Sequence, residues 1–262
     1  MTSDMEPIWR GILMGTDPRY RRARSFLQHV PYGPRCKMCA APFAGPFAPL
    51  LRLWGRGRWS KNPKYCRNCF GALQQLSGGA EVPCTLLFAD VRGSTALAEQ
   101  IPATEFTQLL QRFYGIATRV LVAHDAIVDK FVGDEVMAIF IPALSQERHA
   151  ARAIDAAVAL LRANQEPGAG APLPIGAGVH SGTAYVGSIG EGLHTELTAL
   201  GDVVNTAARL ASAASAGEVL VSLEAGEAAG LEMAPLEHRS LDLKGKSAAT
   251  QVAVLTPLAG SP

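Results

Sequence analysis

The sequence lacks a long apolar run and a leader-like start. No stretch reaches the roughly 18 consecutive apolar residues that a bilayer-spanning helix needs. The N-terminus also lacks the charged-then-apolar pattern of a signal peptide. These absences argue against a membrane-spanning or secreted protein. We therefore expect a soluble protein with a cytoplasmic location.

Acidic residues are scarce at the start of the chain. Positions 1–70 hold 13 Lys and Arg against only three acids, whereas the remaining residues hold 11 basic and 20 acidic side chains. Ten of the 17 aromatic residues, including all three Trp, also lie in the first 70 positions. Because the composition changes near residue 75, the 262-residue chain is predicted to contain two modules.

Cysteine is scarce outside one segment. Four of the five cysteines form the pairs Cys36-x2-Cys39 and Cys66-x2-Cys69, and Cys84 is predicted to be a buried small residue. In a chain without an export signal, paired CxxC units indicate metal binding more than disulfides. Four thiolates suit one structural Zn²⁺, which would hold together a segment too small for its own core. An iron–sulfur or redox centre, and unligated thiols, are the alternatives.

The pattern of apolar residues predicts an α+β fold after residue 83. Helical spacing covers 102–123, 146–164 and 202–214, and short apolar runs predict strands between them. A hairpin is expected at 125–131 and 134–141, and two strands around a turn at 175–180 and 183–189. This order predicts a mixed, largely antiparallel sheet flanked by helices, preceded by a small zinc-binding module.

Two acidic residues are expected at the ends of neighbouring strands. Asp90 precedes a turn into a helix, where backbone N–H groups suit phosphate oxygens. Asp134 lies at a hairpin tip. Two such carboxylates can hold two divalent cations, which activate a hydroxyl and stabilise a leaving oxygen. Taken singly, Asp90 is read as a helix cap or turn residue, and Gly133-Asp134 as an ordinary hairpin turn.

An amide and a guanidinium share a predicted helix face. Asn205 and Arg209 are four residues apart, so they lie side by side on the helix. Such a pair can orient a sugar and neutralise charge on a phosphoryl group. An ordinary solvated helix face is the alternative for this pair when it is considered alone.

Taken together and in this order, the motifs resemble the class III adenylyl and guanylyl cyclases. They are FADVRGST at 88–95, KFVGDEVMAIF at 130–140, IGAGVHSGTAYVGSIG at 175–190 and LGDVVNTAARL at 200–210. The resemblance runs from about Cys84 to Leu255. It implies a sheet with a ferredoxin-like core and active sites formed between two such domains. Together with the composition and the cysteine spacing, it predicts a basic lead-in at 1–30, a zinc-ribbon-like module at 31–75, a linker at 76–82 and a cyclase catalytic domain at 83–258.

The resemblance also implies a role for individual residues. Asp90, Asp134 and the carbonyl of Val91 match the ligands of two Mg²⁺ or Mn²⁺ ions. Asn205 matches the ribose-orienting residue and Arg209 the transition-state arginine. The remaining substrate-binding residues are the purine-reading pair Lys130 and Thr198, the triphosphate lysine Lys244, and Gly93, Ser94 and Thr95 beside the phosphates.

The implied activity is adenylate cyclase, which converts ATP to cyclic AMP and pyrophosphate at a homodimer interface. Lys130 can donate to adenine N1 and Thr198 can accept from its amine. This Lys/Thr pair resembles a subgroup that often responds to bicarbonate, so bicarbonate regulation is a hypothesis. The main alternative is a guanylate cyclase. A diguanylate cyclase is disfavoured because VGDEV at 132–136 lacks the first Gly and the Phe of a GGDEF signature.

The composition of the basic N-terminal module fits two roles. A basic, aromatic-bearing zinc module can bind nucleic acid through phosphate neutralisation and stacking. The whole chain would then be a nucleic-acid-binding regulator whose cyclase-like domain senses nucleotide. We favour the simpler interpretation that the segment docks on the acidic catalytic domain and orders the dimer.

Overall fold

The structure is a computed structural model that describes residues 5–60, 62–71, 73, 76–166, 171–191, 194–243, 245–246 and 248–257. These residues divide into two compact units. The first comprises the described residues of 1–82, 141–146 and 184–200, and the second those of 83–140, 147–183 and 201–262. In these ranges, none of the helices combines the length and the hydropathy that a bilayer-spanning segment needs.

Helices and strands alternate along most of the chain. The helices are α1 (Glu6–Leu13), α2 (Pro18–Leu27), α3 (Ala48–Leu53), α4 (Ser94–Gln100), α5 (Ala103–Ala123), α6 (Pro142–Ser145), α7 (His149–Ala163), α8 (Asp202–Ala213) and α9 (Leu223–Ala229). The strands are β1 (Gly78–Val91), β2 (Ile127–Val132), β3 (Glu135–Phe140), β4 (Ile175–Glu191), β5 (His194–Leu200), β6 (Val219–Ser222), β7 (Glu237–Leu241) and β8 (Thr250–Leu255).

The first unit begins with two short helices, and the sequence explains why they form. Pro18 begins α2, where a missing N–H costs nothing, and the Asp17 side chain caps the helix by accepting from the backbone N of Arg19 at 2.8 Å. The helix α1 buries Trp9, whose indole N–H donates to the carbonyl of Ser77 at 3.1 Å. The predicted lead-in is therefore helical.

The strands form a mixed sheet in the order β2-β3-β1-β4-β6-β8-β7, and β5 pairs with β4. The pairs β1–β3, β2–β3, β4–β5, β6–β8 and β7–β8 are antiparallel, and β4–β6 is parallel. The prediction of a mixed, largely antiparallel sheet flanked by helices is confirmed. In the second unit this sheet carries Asp90 on β1 and Glu135 on β3.

Apolar residues cover both faces of the sheet in the second unit. On β6, Val219 and Val221 pack with α5 and α7, whereas Leu220 between them packs with Leu210 of α8. Alternation of side chains along a strand produces this division. The face of α7 that joins this core is rich in alanine and includes Ala157. One helix layer therefore lies on each face, and α8 is the helix that carries Asn205 and Arg209.

The structure differs from the predicted elements in several places. Residues 78–82, expected to be a linker, are the first residues of β1. The two strands expected at 175–180 and 183–189 are one continuous strand, β4, because Ser181 is hydrogen-bonded to Thr85 and Gly182 lies under Val203. The short helix α9 was not predicted, and Ser222 caps it.

Candidate active site

Two aspartates meet where β1 and β3 run side by side. Asp90 lies at the end of β1 in register with Glu135, the first residue of β3. Asp134 comes one residue earlier, and its carbonyl accepts a hydrogen bond from the backbone N of Val91 at 3.2 Å. The antiparallel register therefore brings three carboxylates to one end of the strand pair. Burial, and secondarily the charge of Asp134, raise the pKa of Glu135.

The loop after β1 holds Asp134 in place. Gly93 has a φ of 70°, a backbone conformation that L side chains rarely adopt, and it is the N-cap of α4. The next residue, Ser94, is buried, and its hydroxyl donates to Oδ2 of Asp134 at 2.6 Å. Thr95 is exposed. Ser94 thus contacts the carboxylate cluster directly.

Arg92 is a site residue that the sequence analysis missed. Its guanidinium forms an ion pair with Oδ1 of Asp90, and it also donates to the carbonyl of Ser212 at 2.7 Å. Burial lowers the pKa of Arg92, and the charges of Asp134 and Glu135 oppose this effect. Arg92 is part of the FADVRGST motif, but the motif alone does not say that its side chain turns back onto Asp90.

The donor atoms at this edge fit hard divalent cations. Oδ1 of Asp90 is buried, and its ion-pair partner is the guanidinium of Arg92. The cluster of Asp90, Asp134 and Glu135 has a charge of about −3 when ionised, against +1 from Arg92. Carboxylate and carbonyl oxygens are the ligands that Mg²⁺ and Mn²⁺ prefer. The remaining negative charge can therefore be balanced by added cations.

The helix α8 presents Asn205 and Arg209 on its outer face. Thr206 and Leu210 are buried toward the sheet, whereas Asn205 is exposed and Arg209 is partly exposed. The helix lies very close to β4 at Gly178, where a Cβ atom would be 2.2 Å from the backbone N of Ala211. Only glycine permits this approach, which fixes the position of the outer face.

The loop after Leu243 returns to the same helix. Lys246 forms an ion pair with Asp202, the first residue of α8, and this contact lowers the pKa of Asp202. A Cβ on Gly245 would lie 3.4 Å from the guanidinium of Arg209. The predicted triphosphate lysine, Lys244, is outside the described residues. The pair Lys246–Asp202 was not predicted from the sequence.

The two predicted purine-reading residues belong to different units. Lys130 lies on β2, with its side chain 38% exposed and its Nζ 3.8 Å from Oδ2 of Asp129. The strand has an irregularity at Asp129, where the register with β3 shifts. Thr198 lies on β5 of the first unit, opposite Gly187 of β4, and is buried.

The four paired cysteines of the first unit converge on one point. Their Sγ atoms lie within 4.8 Å of one another, and all four side chains are buried. Cys39 Sγ is 3.7 Å from Cys66 Sγ, and the backbone N of Cys66 donates to Cys36 Sγ at 3.3 Å. The neighbouring thiols, Cys36 first, lower the pKa of Cys39. Four converging sulfur donors fit a tetrahedral thiolate site for zinc.

Comparison with known proteins identifies the family. The family described as "Adenylate and Guanylate cyclase catalytic domain" matches residues 80–255, about two thirds of the chain. The chain therefore belongs to the class III adenylyl and guanylyl cyclases. The resemblance stated from the motifs is confirmed.

Individual relatives include both kinds of cyclase. The crystal structure of the guanylyl cyclase Cya2 has a TM-score of 0.63 and 29% identity, over 67% of this chain and 92% of that one. The adenylyl cyclase CyaB from P. aeruginosa has a TM-score of 0.59 and 29% identity, over 68% and 95%. At equal identity, these two structures do not separate ATP from GTP as the substrate.

Curated relatives match a shorter part of the chain. Adenylate cyclase 1 of Rhizobium meliloti (strain 1021) is 33% identical over 132 residues, which are 48% of this chain and 20% of the relative. An uncharacterized protein of Mycobacterium tuberculosis (strain ATCC 25618 / H37Rv) is 35% identical over 135 residues, which are 51% and 24%. The chain thus covers about a quarter or less of the length of these curated relatives.

Proposed function

We propose that the chain is an adenylate cyclase that converts ATP to 3′,5′-cyclic AMP and pyrophosphate. The observation that carries the proposal is the carboxylate cluster of Asp90, Asp134 and Glu135, which the register of β1 with β3 assembles in a domain of the cyclase family. We propose that Asp90, Asp134 and the carbonyl of Val91 hold two Mg²⁺ or Mn²⁺ ions. When bound, such ions supply Lewis acidity to the ribose 3′-hydroxyl and to the leaving pyrophosphate.

The chain's own residues have separate tasks in this proposal. Asn205 orients the ribose, so that its 3′-oxygen faces the α-phosphorus, and Arg209 stabilises charge that grows on the α-phosphoryl oxygens. Lys244 contacts the triphosphate. Gly93, Ser94 and Thr95 lie beside the phosphates, and Ser94 also orients Asp134 through its hydrogen bond. Since α8 is fixed by its close approach to Gly178, Asn205 and Arg209 are presented in a constant geometry.

We infer a homodimer with two equivalent sites. The carboxylate cluster and the Asn205/Arg209 pair occur in the same chain, so two copies can each contribute one set to each site. For the base, Lys130 would donate to adenine N1 and Thr198 would accept from the adenine amine. The Lys130/Thr198 pair also suggests regulation by bicarbonate. In that case, adding bicarbonate at constant pH raises the turnover number, and an unchanged rate contradicts regulation by bicarbonate.

A guanylate cyclase is the second candidate, because a guanylyl cyclase is among the structural matches at 29% identity. One experiment separates the two. The purified chain is incubated with ATP or GTP and Mn²⁺ or Mg²⁺, and the products are identified by mass spectrometry. Asp90→Asn serves as the matched variant, since it keeps the shape of the side chain. Cyclic AMP that depends on Asp90 supports the proposal, and cyclic GMP instead would favour the second candidate.

We also propose one structural Zn²⁺ on Cys36, Cys39, Cys66 and Cys69. Elemental analysis of the purified chain should give about one zinc per chain. Cys39→Ala should lose that metal, whereas Cys84→Ala, which removes the buried cysteine outside the cluster, should keep it. Iron with visible absorption would support the iron–sulfur alternative. A chain without metal would contradict both.

A further inference from the structure

The lead-in and the cysteine module together (the described residues of 1–75, called the N-terminal module below) carry an open apolar groove. It has a volume of about 670 Å³ and lies between the end of α2 and the helix α3. The side chains that line it include Phe26, Leu27, Val30, Leu50, Trp54 and Arg56. Phe26 is 75% exposed and Trp54 is 64% exposed. Exposed apolar side chains concentrated in one place are typical of an interaction surface.

Both walls of this apolar groove are tied to the cysteine cluster. Arg35, next to Cys36, donates to the carbonyls of Leu27 at 2.8 Å and of Ala40 at 3.1 Å, and also to that of Val30. Asn68, between the second pair of cysteines, donates to the carbonyl of Trp54 at 2.6 Å. The groove is therefore a built part of the module, and its two walls are anchored on the two CxxC pairs.

The charge around the groove selects the kind of partner. In the part of the module that the structure describes, the acidic residues are Glu6 and Asp17, each in an ion pair with an arginine of its own helix or cap. Arg22 and Arg52 are exposed on the two helices that form the walls, and Arg56 lines the groove. The surroundings of the groove are thus basic and are complementary to carboxylates.

We propose that the apolar groove binds an acidic amphipathic helix of a partner protein. Apolar side chains at helical spacing would enter the groove between α2 and α3, and flanking Glu or Asp would face the arginines. A flat membrane surface suits this site less, because the apolar side chains line a concavity. The proposal concerns the N-terminal module and does not depend on the reaction of the cyclase domain.

The test measures binding of a defined probe to the full chain with its metal. The probe is a fluorescein-labelled synthetic helix of roughly 18 residues, about five turns, with Leu at i, i+3, i+4 and i+7 and Glu on both flanks. A second peptide has Lys in place of every Glu. Fluorescence anisotropy gives the Kd of each. Leu50→Glu places a charge in the groove, and Leu200→Glu is the matched control, since the two leucines are 48% and 51% exposed.

The proposal expects a specific order of affinities. The acidic peptide binds, added salt weakens its binding, and the Lys peptide binds at least about tenfold more weakly. Leu50→Glu also weakens the acidic peptide about tenfold or more, whereas Leu200→Glu leaves its Kd within about twofold. Unchanged zinc content and unfolding temperature verify that Leu50→Glu is folded.

Three results would overturn the proposal. The first is equal binding of the two peptides, or no binding of either peptide. The second is self-association of the chain that Leu50→Glu abolishes, which would assign the groove to a second copy. The third is binding to vesicles with anionic lipid without binding to the acidic peptide, which would assign it to a membrane surface.

Discussion

The contact between Gly178 and α8 yields a sharp prediction. A methyl group added at Gly178 would lie 2.2 Å from the backbone N of Ala211, 2.7 Å from the carbonyl O of Ala207 and 2.7 Å from the carbonyl C of Leu210. All three are backbone atoms, so no side-chain rotation can relieve the overlap. Gly178→Ala must therefore move the helix away from the strand.

The size of the effect follows from these distances. Non-bonded atoms need a separation of about 3.5 Å, so α8 has to retreat by about 1 Å. Overpacking of this kind costs about 1–3 kcal/mol of unfolding free energy. Because α8 carries Asn205 and Arg209, a displacement of about 1 Å is also expected to lower the cyclase rate about 100-fold.

Two assays on two variants check this prediction. Urea unfolding measures the stability of each variant, and initial rates of cyclic nucleotide formation measure activity. The matched control is Gly115→Ala, in the exposed middle of α5, where an added Cβ meets no atom within 4 Å. That change should raise helix stability by up to about 1 kcal/mol and leave the rate unchanged.

One result would refute the reasoning about α8. If Gly178→Ala unfolds at the same urea concentration as the unmodified chain and turns over at the same rate, the close packing of α8 on β4 is wrong. If stability falls while the rate is kept, the packing is right, but the position of the outer face does not govern the reaction.

Three further predictions concern charges. Arg92→Gln removes a cation that competes for Asp90, so calorimetry should find Mn²⁺ bound about fivefold more tightly, equivalent to about 1 kcal/mol. Asp202→Asn breaks the ion pair that ties Lys246 to the start of α8. Because the proposed triphosphate lysine, Lys244, is two residues away in sequence, the KM for nucleotide should rise about twofold to fivefold, with little change in kcat, in steady-state kinetics. Burial lowers the pKa of His149 below its usual 6.5, so the unfolded chain binds a proton more readily and unfolding free energy falls from about pH 7 to about pH 5.

Each of these predictions has its own control. Weaker Mn²⁺ binding by Arg92→Gln would mean that the guanidinium supports the site instead of competing for it. The charge exchange Asp202→Lys with Lys246→Asp should bring the KM part of the way back to that of the unmodified chain. A KM that stays high would contradict a role for the pair. His149→Gln should flatten the pH dependence of urea unfolding, and an unchanged slope would assign the effect to other groups.

Local patterns predicted much of the fold. The helix expected at 102–123 is α5, and the hairpin expected at 125–131 and 134–141 is β2–β3, because apolar spacing within one element depends on residues close in sequence. The same logic missed α9, whose few residues contain Gly226. It also divided β4 at Gly182, where pairing and packing with distant segments keep the strand extended.

The sequence predicted which residue types form the candidate site. It did not predict all of the side-chain contacts between them. The motif placed Asp90 and Asp134 on neighbouring strand ends, and the register of β1 with β3 brings them together as expected. The turn of Arg92 back onto Asp90 depends on side-chain conformation. The pair Lys246–Asp202 joins residues 44 positions apart. Neither contact leaves a periodic signal in the sequence.

The ion pair of Arg92 with Asp90 affects the state of the protein between turnovers. On the proposed function, this built-in counterion keeps the carboxylate cluster assembled when the cations and pyrophosphate are absent, so loss of the cations should not disturb folding. The cysteine cluster, through Arg35 and Asn68, anchors both walls of the apolar groove. A shortage of magnesium should therefore pause the reaction, whereas a shortage of zinc should dismantle the N-terminal module itself.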